Sequence, residues 1–191
     1  ESFGTVVGLH FPKVEVPPDR TITNAYITFQ AYANEGGNAA ITIRGEASSN
    51  ASTFDSGKND ISNRETTAAS VSWNIGSDWS TGSTYSTPDL TSIVQEIVSR
   101  EDWESYQAMA FMFRGTGTRS VRSWDYGGGS SGPVLVIEYD DDCSGEAANS
   151  RYYGYFDPDA RYSYSSGFVR DPSGAWDGNW LNWVSMRKID V

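Results

Sequence analysis

The amino-acid sequence predicts a mainly β protein: an antiparallel β-sandwich of jelly-roll type with one capping helix, followed by an irregular aromatic-rich segment. Short runs rich in Val, Ile, Phe and Tyr alternate apolar and polar positions, and Gly, Pro, Asn and Asp separate them at close intervals. One stretch, about residues 88–100, carries the i, i+3, i+4, i+7 spacing of a helix with a single buried face. Aromatic residues make up 14% of the chain, and Gly, Ser, Thr and Asn are plentiful. Turn-rich sheets have that profile, whereas helical bundles are rich in Ala, Leu, Glu and Lys.

Each element follows from local pattern. Residues 6–11 place Val7, Leu9 and Phe11 on one face of a first strand. Pro17, Pro18 and Asp19 turn the chain into a long strand at 21–32. In that strand Ala25, Ile27, Phe29 and Ala31 face inward, and Tyr26, Thr28, Gln30 and Tyr32 face the other way. Asn34, Glu35, Gly36, Gly37 and Asn38 make a hairpin-type loop, and a strand at 39–44 returns with Ile41 and Ile43 on the core face. Residues 45–70 are polar and weakly patterned, as in a long loop with room for a short helical turn.

Val71 and Trp73 mark a strand at 69–73, and residues 76–86 form a loop carrying Trp79 and Tyr85. The helix then begins with Thr87 as N-cap, Pro88 in the first helical position and Asp89 complementing the N-terminal dipole. Its buried stripe is Leu90, Ile93, Val94, Ile97 and Val98, with Arg100 in the last turn; it is expected to cap one open end of the sandwich. A buried strand at 108–113 follows, Gly115 and Gly117 turn the chain, and residues 118–126 run back. After a flexible connection at 127–132, residues 134–139 are apolar nearly throughout, as in a strand covered on both sides.

Asp140, Asp141 and Asp142 and the change of composition after them mark a boundary. The expected division is a sandwich at 1–139 and an appended docking segment at 140–191. That segment holds ten aromatic rings: Tyr152, Tyr153, Tyr155, Phe156, Tyr162, Tyr164, Phe168, Trp176, Trp180 and Trp183. Rings of that size need a surface to bury against, so the segment reads as a joint to a larger parent protein or a neighbouring subunit. Asp157-Pro158 and Asp171-Pro172 favour turns that present the rings from loops.

The formal net charge is −11, and both parts are acidic: 9 basic and 16 acidic side chains in 1–139, 5 and 9 in 140–191. Nucleic acid and anionic lipid are therefore disfavoured as partners on electrostatic grounds. No run of about 18 apolar residues suggests a membrane span. The single cysteine, Cys143, rules out an internal disulfide; it is either a partly buried free thiol or paired outside the chain.

Two sets of motifs carry a family resemblance. Blocks at 7–11 (Val-Gly-Leu-His-Phe), 22–30, 41–47 (Ile-Thr-Ile-Arg-Gly-Glu-Ala), 87–98 and 133–139 (Pro-Val-Leu-Val-Ile-Glu-Tyr) resemble the DNRLRE-like β-sandwich module of bacterial secreted proteins. That group is similar in shape to carbohydrate-binding modules and usually has a strand before Val6, so an edge strand is expected to be missing here. The open sheet edge is, beside the aromatic segment, a second expected route by which a neighbouring chain joins, through strand addition. The second set is Cys143-Ser-Gly-Glu146, Arg151-Tyr-Tyr-Gly-Tyr-Phe-Asp-Pro158 and the run from Trp176 through Gly178-Asn-Trp-Leu-Asn-Trp183 to Met186-Arg187 and Ile189-Asp190. It is similar to PilY1-type proteins, the type IV pilus tip-associated adhesins and assembly factors. The resemblance implies an exported, extracellular, non-enzymatic fragment acting in adhesion or filament assembly, with other pilus subunits as partners. Family members often carry a metal-dependent adhesion motif Asp-x-Ser-x-Ser, which Asp78-Trp-Ser-Thr-Gly82 does not match, so the family's metal sites do not carry over.

No catalytic constellation stands out. His10 is the sole histidine, and strand alternation puts it opposite Leu9 and Phe11, at the surface. There is no Gly-x-Ser-x-Gly elbow and no Cys/His cluster for zinc. The Asp140–Asp142 run and the loop from Asp55 to Asp60 lack EF-hand spacing and read as solvated acidic loops. No catalytic residue, metal or cofactor is expected. A carbohydrate-binding module is the alternative function, with the loop aromatics Trp79 and Tyr85 as sugar-stacking candidates ahead of Trp73, Trp103 and Trp124. An accessory domain of a secreted hydrolase is a further alternative.

Overall fold

The computed structural model describes residues 6–56, 59–126, 130–141, 148–155, 162–165 and 185–188, with side chains through residue 140. In chain order the elements are β1 (Val6–Val14), β2 (Ile22–Gln30), β3 (Ala39–Gly45), α1 (Asp60–Asn63), β4 (Val71–Ile75), β5 (Thr84–Ser86), α2 (Thr91–Val98), β6 (Gln107–Thr116), β7 (Val134–Asp141), β8 (Ala148–Tyr155), β9 (Tyr162–Ser165) and β10 (Ser185–Lys188). The protein is mainly β. One antiparallel sheet runs β1-β6-β3-β4, a second runs β5-β2-β7-β8, and β9 pairs with β10.

The inner faces of the two sheets share one core. Ala25, Ile27 and Phe29 of β2 are buried in the expected phase, and they meet Phe11, Ile43 and Phe111 from the other sheet. Phe11 and Phe111 pack edge to face at 5.9 Å. Val7, in phase with Leu9 and Phe11, is instead exposed near the strand end. In β7, Leu135, Val136 and Ile137 are all buried, so both faces of that strand are covered, as its unbroken apolar run predicts.

The helix is shorter than the periodicity suggests, because its first residues are engaged elsewhere. β5 pairs with only Thr28, Phe29 and Gln30 of β2, leaving the upstream flank of that strand open. Residues 87–90 fill the gap. The Ile27 amide donates to Thr87 Oγ1 (3.0 Å), the Thr87 amide to the Ile27 carbonyl (2.9 Å) and the Leu90 amide to the Ala25 carbonyl (2.7 Å). Thr87 is therefore not an N-cap but a strap residue, and Pro88, with no N–H to satisfy, fits beside it. Asp89 Oδ1 accepts the Thr91 amide at 2.8 Å, and α2 begins there. Arg100 lies beyond the last turn.

From this start α2 lays Ile93, Val94, Ile97 and Val98 onto the core. It lies against β2 of one sheet and β3 of the other. Gln95 continues the strap, its Oε1 accepting the Ile22 amide at 2.8 Å and its Nε2 donating to the Arg20 carbonyl at 3.1 Å. Glu96 accepts the Ala68 and Ala69 amides on the opposite side (2.8 and 2.7 Å). Close approach to β3 requires Gly45, since a Cβ there would sit 2.8 Å from Ile93 Cγ2 and Ile97 Cδ1.

The polar 45–70 stretch forms a third layer. The Glu46 amide donates to the Ala110 carbonyl (2.8 Å) and the Ala51 amide to the Ala108 carbonyl (3.0 Å), carrying residues 46–51 along the edge of β6 beyond β3, while Ala51 and Phe54 pack with the Ala108 and Ala110 side chains. The layer also covers β1, which corrects the surface position expected for His10. That side chain is 8% exposed, with Nε2 2.9 Å from the Ala51 carbonyl oxygen and Phe54 edge-on at 6.1 Å. Strand alternation could not reveal this, because the cover comes from a segment without periodic pattern.

Two further expectations change. Residues 118–126 do not form a returning strand. β7 occupies the flank of β2 through Thr28, so the segment adds one bridge beyond it, Val121 to Ala31. After residue 140, three short strands stand where irregular chain was expected. β8 pairs with β7 from Asp141↔Ala148 to Val134↔Tyr155, so hydrogen bonds of one sheet cross the 139/140 division. β-Branched and aromatic residues make that hairpin favourable once a partner edge is present.

Two outcomes follow. Gly45→Ala should cost about 1–3 kcal/mol through overpacking under α2; a urea midpoint equal to wild type would show that the helix is free to shift. Burial holds the His10 pKa below the ordinary value of 6.5, a push that the Arg64 charge reinforces and that the Ala51 hydrogen bond and the Glu46 charge partly oppose. The unfolded chain therefore takes up the proton first as pH falls through 6.5, and folding stability declines from there down to the folded-state pKa. With a single histidine, the melting temperature should be lower at pH of about 5.5 than about 7.5, and His10→Gln should flatten the difference.

Candidate recognition surface at the loop end

Three loops meet at one end of the sandwich. Residues 31–38 follow β2, 76–83 follow β4 and 117–126 follow β6. Glu35 and Trp79 exchange backbone hydrogen bonds of 3.0 and 2.7 Å, the Gly82 amide donates to the Ala31 carbonyl (2.9 Å), and the Tyr32 amide donates to the Ser120 carbonyl (2.9 Å). Side chains tighten the junction. Arg119 Nη2 donates to the carbonyls of Gly37 (2.6 Å) and Ser77 (3.1 Å), so one guanidinium ties two loops. Asn34 Oδ1 accepts the Thr81 amide at 2.8 Å. The Glu35 carboxylate accepts both the Ser120 amide and its hydroxyl.

The sugar-stacking candidates lie inside this junction. Trp79 is 3% exposed and stacks on Tyr85 with centroids 4.2 Å apart and planes 2° from parallel. Each ring covers a face of the other. Arg119 lies over Trp79 at 5.7 Å, Trp73 packs against it at 5.9 Å, and Phe29 continues the column at 6.0 Å from Trp73. The Tyr85 hydroxyl accepts the Ser80 amide at 2.8 Å. Trp79 is thus buried, and Tyr85, half-buried on β5, has one ring face against it: a loop position suggested solvent, but three stapled loops make a small second core. Trp103 and Trp124 are buried as well.

The open aromatic surface is formed by residues the sequence reading did not single out. Tyr32 is 54% exposed and Tyr126 42%, and their rings meet at 5.6 Å and 85°. The Arg122 guanidinium lies 4.6 Å over the Tyr126 ring while its Nη1 donates to Gln30 Oε1. A signal for Tyr32 was available, since it sits in the outward phase of β2 with Tyr26, Thr28 and Gln30. Tyr126 carried no comparable signal.

A cluster of titratable groups lies on the third layer instead. Arg64 contacts Glu46 at 2.7 Å and Asp60 at 3.0 Å, donates to the Ser52 and Thr53 carbonyls, and covers the Phe54 ring at 4.6 Å. The hydrogen bond from Arg64 lowers the Asp60 pKa. Burial alone would lower the Arg64 pKa, but hydrogen bonds to Glu46 and Asp60 outweigh it and raise the value. These contacts tie Glu46, Ser52, Thr53, Phe54 and Asp60 together through Arg64, so the arrangement is a staple. Among the described residues no group of three His, Cys, Asp or Glu side chains is placed to hold a metal ion.

Of the docking candidates, Tyr152, Tyr153 and Tyr155 lie on β8, in register with Ile137, Val136 and Val134. Tyr162 and Tyr164 lie on β9, opposite Lys188 and Met186 of β10. Phe156, Trp176, Trp180 and Trp183, like Cys143, fall outside the described residues. Among the described residues no helix is long and apolar enough to cross a membrane.

No curated protein matches this chain. A solved structure described as "Crystal Structure of Thermotoga maritima 1070" aligns with 79% of this chain and 94% of its own at 10% identity, but its TM-score of 0.26 is too low to inform fold or function. Residues 146–191 match the family described as PilY1 homolog, small alpha/beta domain, a region that takes in β8, β9 and β10.

Proposed function

We propose that this chain is a non-catalytic, extracellular adhesion and assembly module of a pilus-associated surface protein, joined to its neighbours through the aromatic segment at 140–191. The family match over residues 146–191 carries the reading, because it falls on the segment whose motifs resemble pilus tip-associated adhesins and assembly factors. The topology supports it. β8 belongs to the matched region and hydrogen-bonds along β7, so this strand of the segment is built into a sheet of the sandwich. A contact made by the segment would therefore position the whole sandwich. Tyr and Trp side chains supply large contact area at low entropy cost, which suits a joint between folded bodies. The one histidine is occupied by Ala51 and the Arg64 cluster by loop carbonyls, so the reading assigns no reaction to either.

Co-sedimentation of the full chain with purified type IV pili tests this proposal. The chain should pellet with the fibres, and a Trp180→Ala, Trp183→Ala double substitution should weaken binding at least about tenfold, as for loss of interface anchors. Wild-type chain that stays in the supernatant, or a double variant that pellets equally well, would contradict it.

A further inference from the structure

We infer that the Tyr32–Tyr126 pair is an aromatic corner that receives a neutral pyranose glycan, with Tyr32 as the stacking ring and Tyr126 as its perpendicular wall. This inference is independent of the assembly role proposed for residues 140–191.

The two tyrosines come from different loops, yet both are held by the backbone. The Tyr32 amide donates to the Ser120 carbonyl, the Arg122 amide to the Gln30 carbonyl and the Tyr126 amide to the Ser123 carbonyl, at 2.9, 2.9 and 3.1 Å. The Ala31↔Val121 bridge fixes the two loops beside each other. The perpendicular ring contact and the stacked Arg122 then set the orientation of the pair. Little ordering entropy is left to be lost on binding, which favours a weakly held ligand such as a sugar.

Chemistry selects the ligand class. Arg122 covers one face of Tyr126 and the two rings stand perpendicular, so the pair forms an aromatic corner in which the more exposed Tyr32 ring can meet the C–H face of a pyranose and the two hydroxyls can meet sugar hydroxyls. Exposed Ser123 and Asp125 are close to Tyr126 in the chain and supply hydrogen-bonding groups, while Asn34 Oδ1 is already engaged with Thr81. A polyanion is disfavoured, because the chain carries a net charge of −11 and Arg122 is already engaged with Gln30 and Tyr126. Two rings with a polar border match one or two sugar units, whereas a stable protein interface needs roughly 800 Å² from each partner.

Affinity electrophoresis of the full chain, through gels containing dextran, soluble starch, galactomannan, xyloglucan or mixed-linkage β-glucan in turn, tests the inference. At least one polymer should retard the wild type. Tyr32→Ala and Tyr126→Ala should each weaken that retardation about tenfold, the scale of one lost stacking contact. Tyr32→Phe should keep most of it, since the ring face remains. Tyr106→Ala removes another exposed tyrosine, ahead of β6 at the opposite end of that strand from residues 117–126, and should change nothing. Retardation by none of the five polymers overturns the inference, as does Tyr32→Ala migrating like wild type in the polymer that retards it.

Discussion

β2 sits between β7 and β5, but β5 reaches only its last three residues. Upstream, Ala25 and Ile27 point their side chains into the core while their strand edge would face open space. Each buried backbone group left unpaired there would cost about 1–3 kcal/mol. Thr87, Leu90 and Gln95 take up those groups one after another. Because the same segment leads into α2, satisfying the edge also lays the helix across both sheets. Edge protection and core closure are thus one event, and the strap also removes a site where another chain could add a strand.

The loop end inherits its rigidity from this arrangement. With β2 held on both flanks, the residues just past it leave the sheet in a fixed direction and meet loops from β4 and β6. Arg119, Asn34 and Glu35 join the three, and the Trp73–Trp79–Tyr85 column fills the space beneath. Tyr32 and Tyr126 stand on this base. At the other side of the second sheet, β8 carries the family-matched region into the fold. The sandwich thereby links an exposed aromatic surface to an aromatic segment through continuous sheet hydrogen bonding.

Much of the fold could be read from pattern. The inward phase of β2, the double burial of β7 and the apolar stripe of α2 are periodic, and the structure has all three. What pattern missed depended on nonperiodic segments or on tertiary partners. His10 is buried by a polar loop, Thr87 bonds a strand distant in sequence, and residues 118–126 lost their strand because β7 had already taken the flank of β2. The loop end was harder still. Trp79 lies in a loop, but Arg119 arriving from a third loop helps cover it, and Tyr85 proves to lie on β5 against Phe29, neither of which a local signal encodes. Placing large aromatics in loops at the surface was a sound rule applied to a junction that makes its own core.

Amide hydrogen exchange at Ile27 tests most directly whether the Thr87 strap seals the fold. If it does, the Ile27 and Leu90 amides exchange only through global unfolding, with the same opening free energy as Phe111 in the middle of β6. Exchange at Ile27 and Leu90 through a distinctly lower-energy local opening, while Phe111 stays protected, would show that the strap is an ornament on an already closed sandwich.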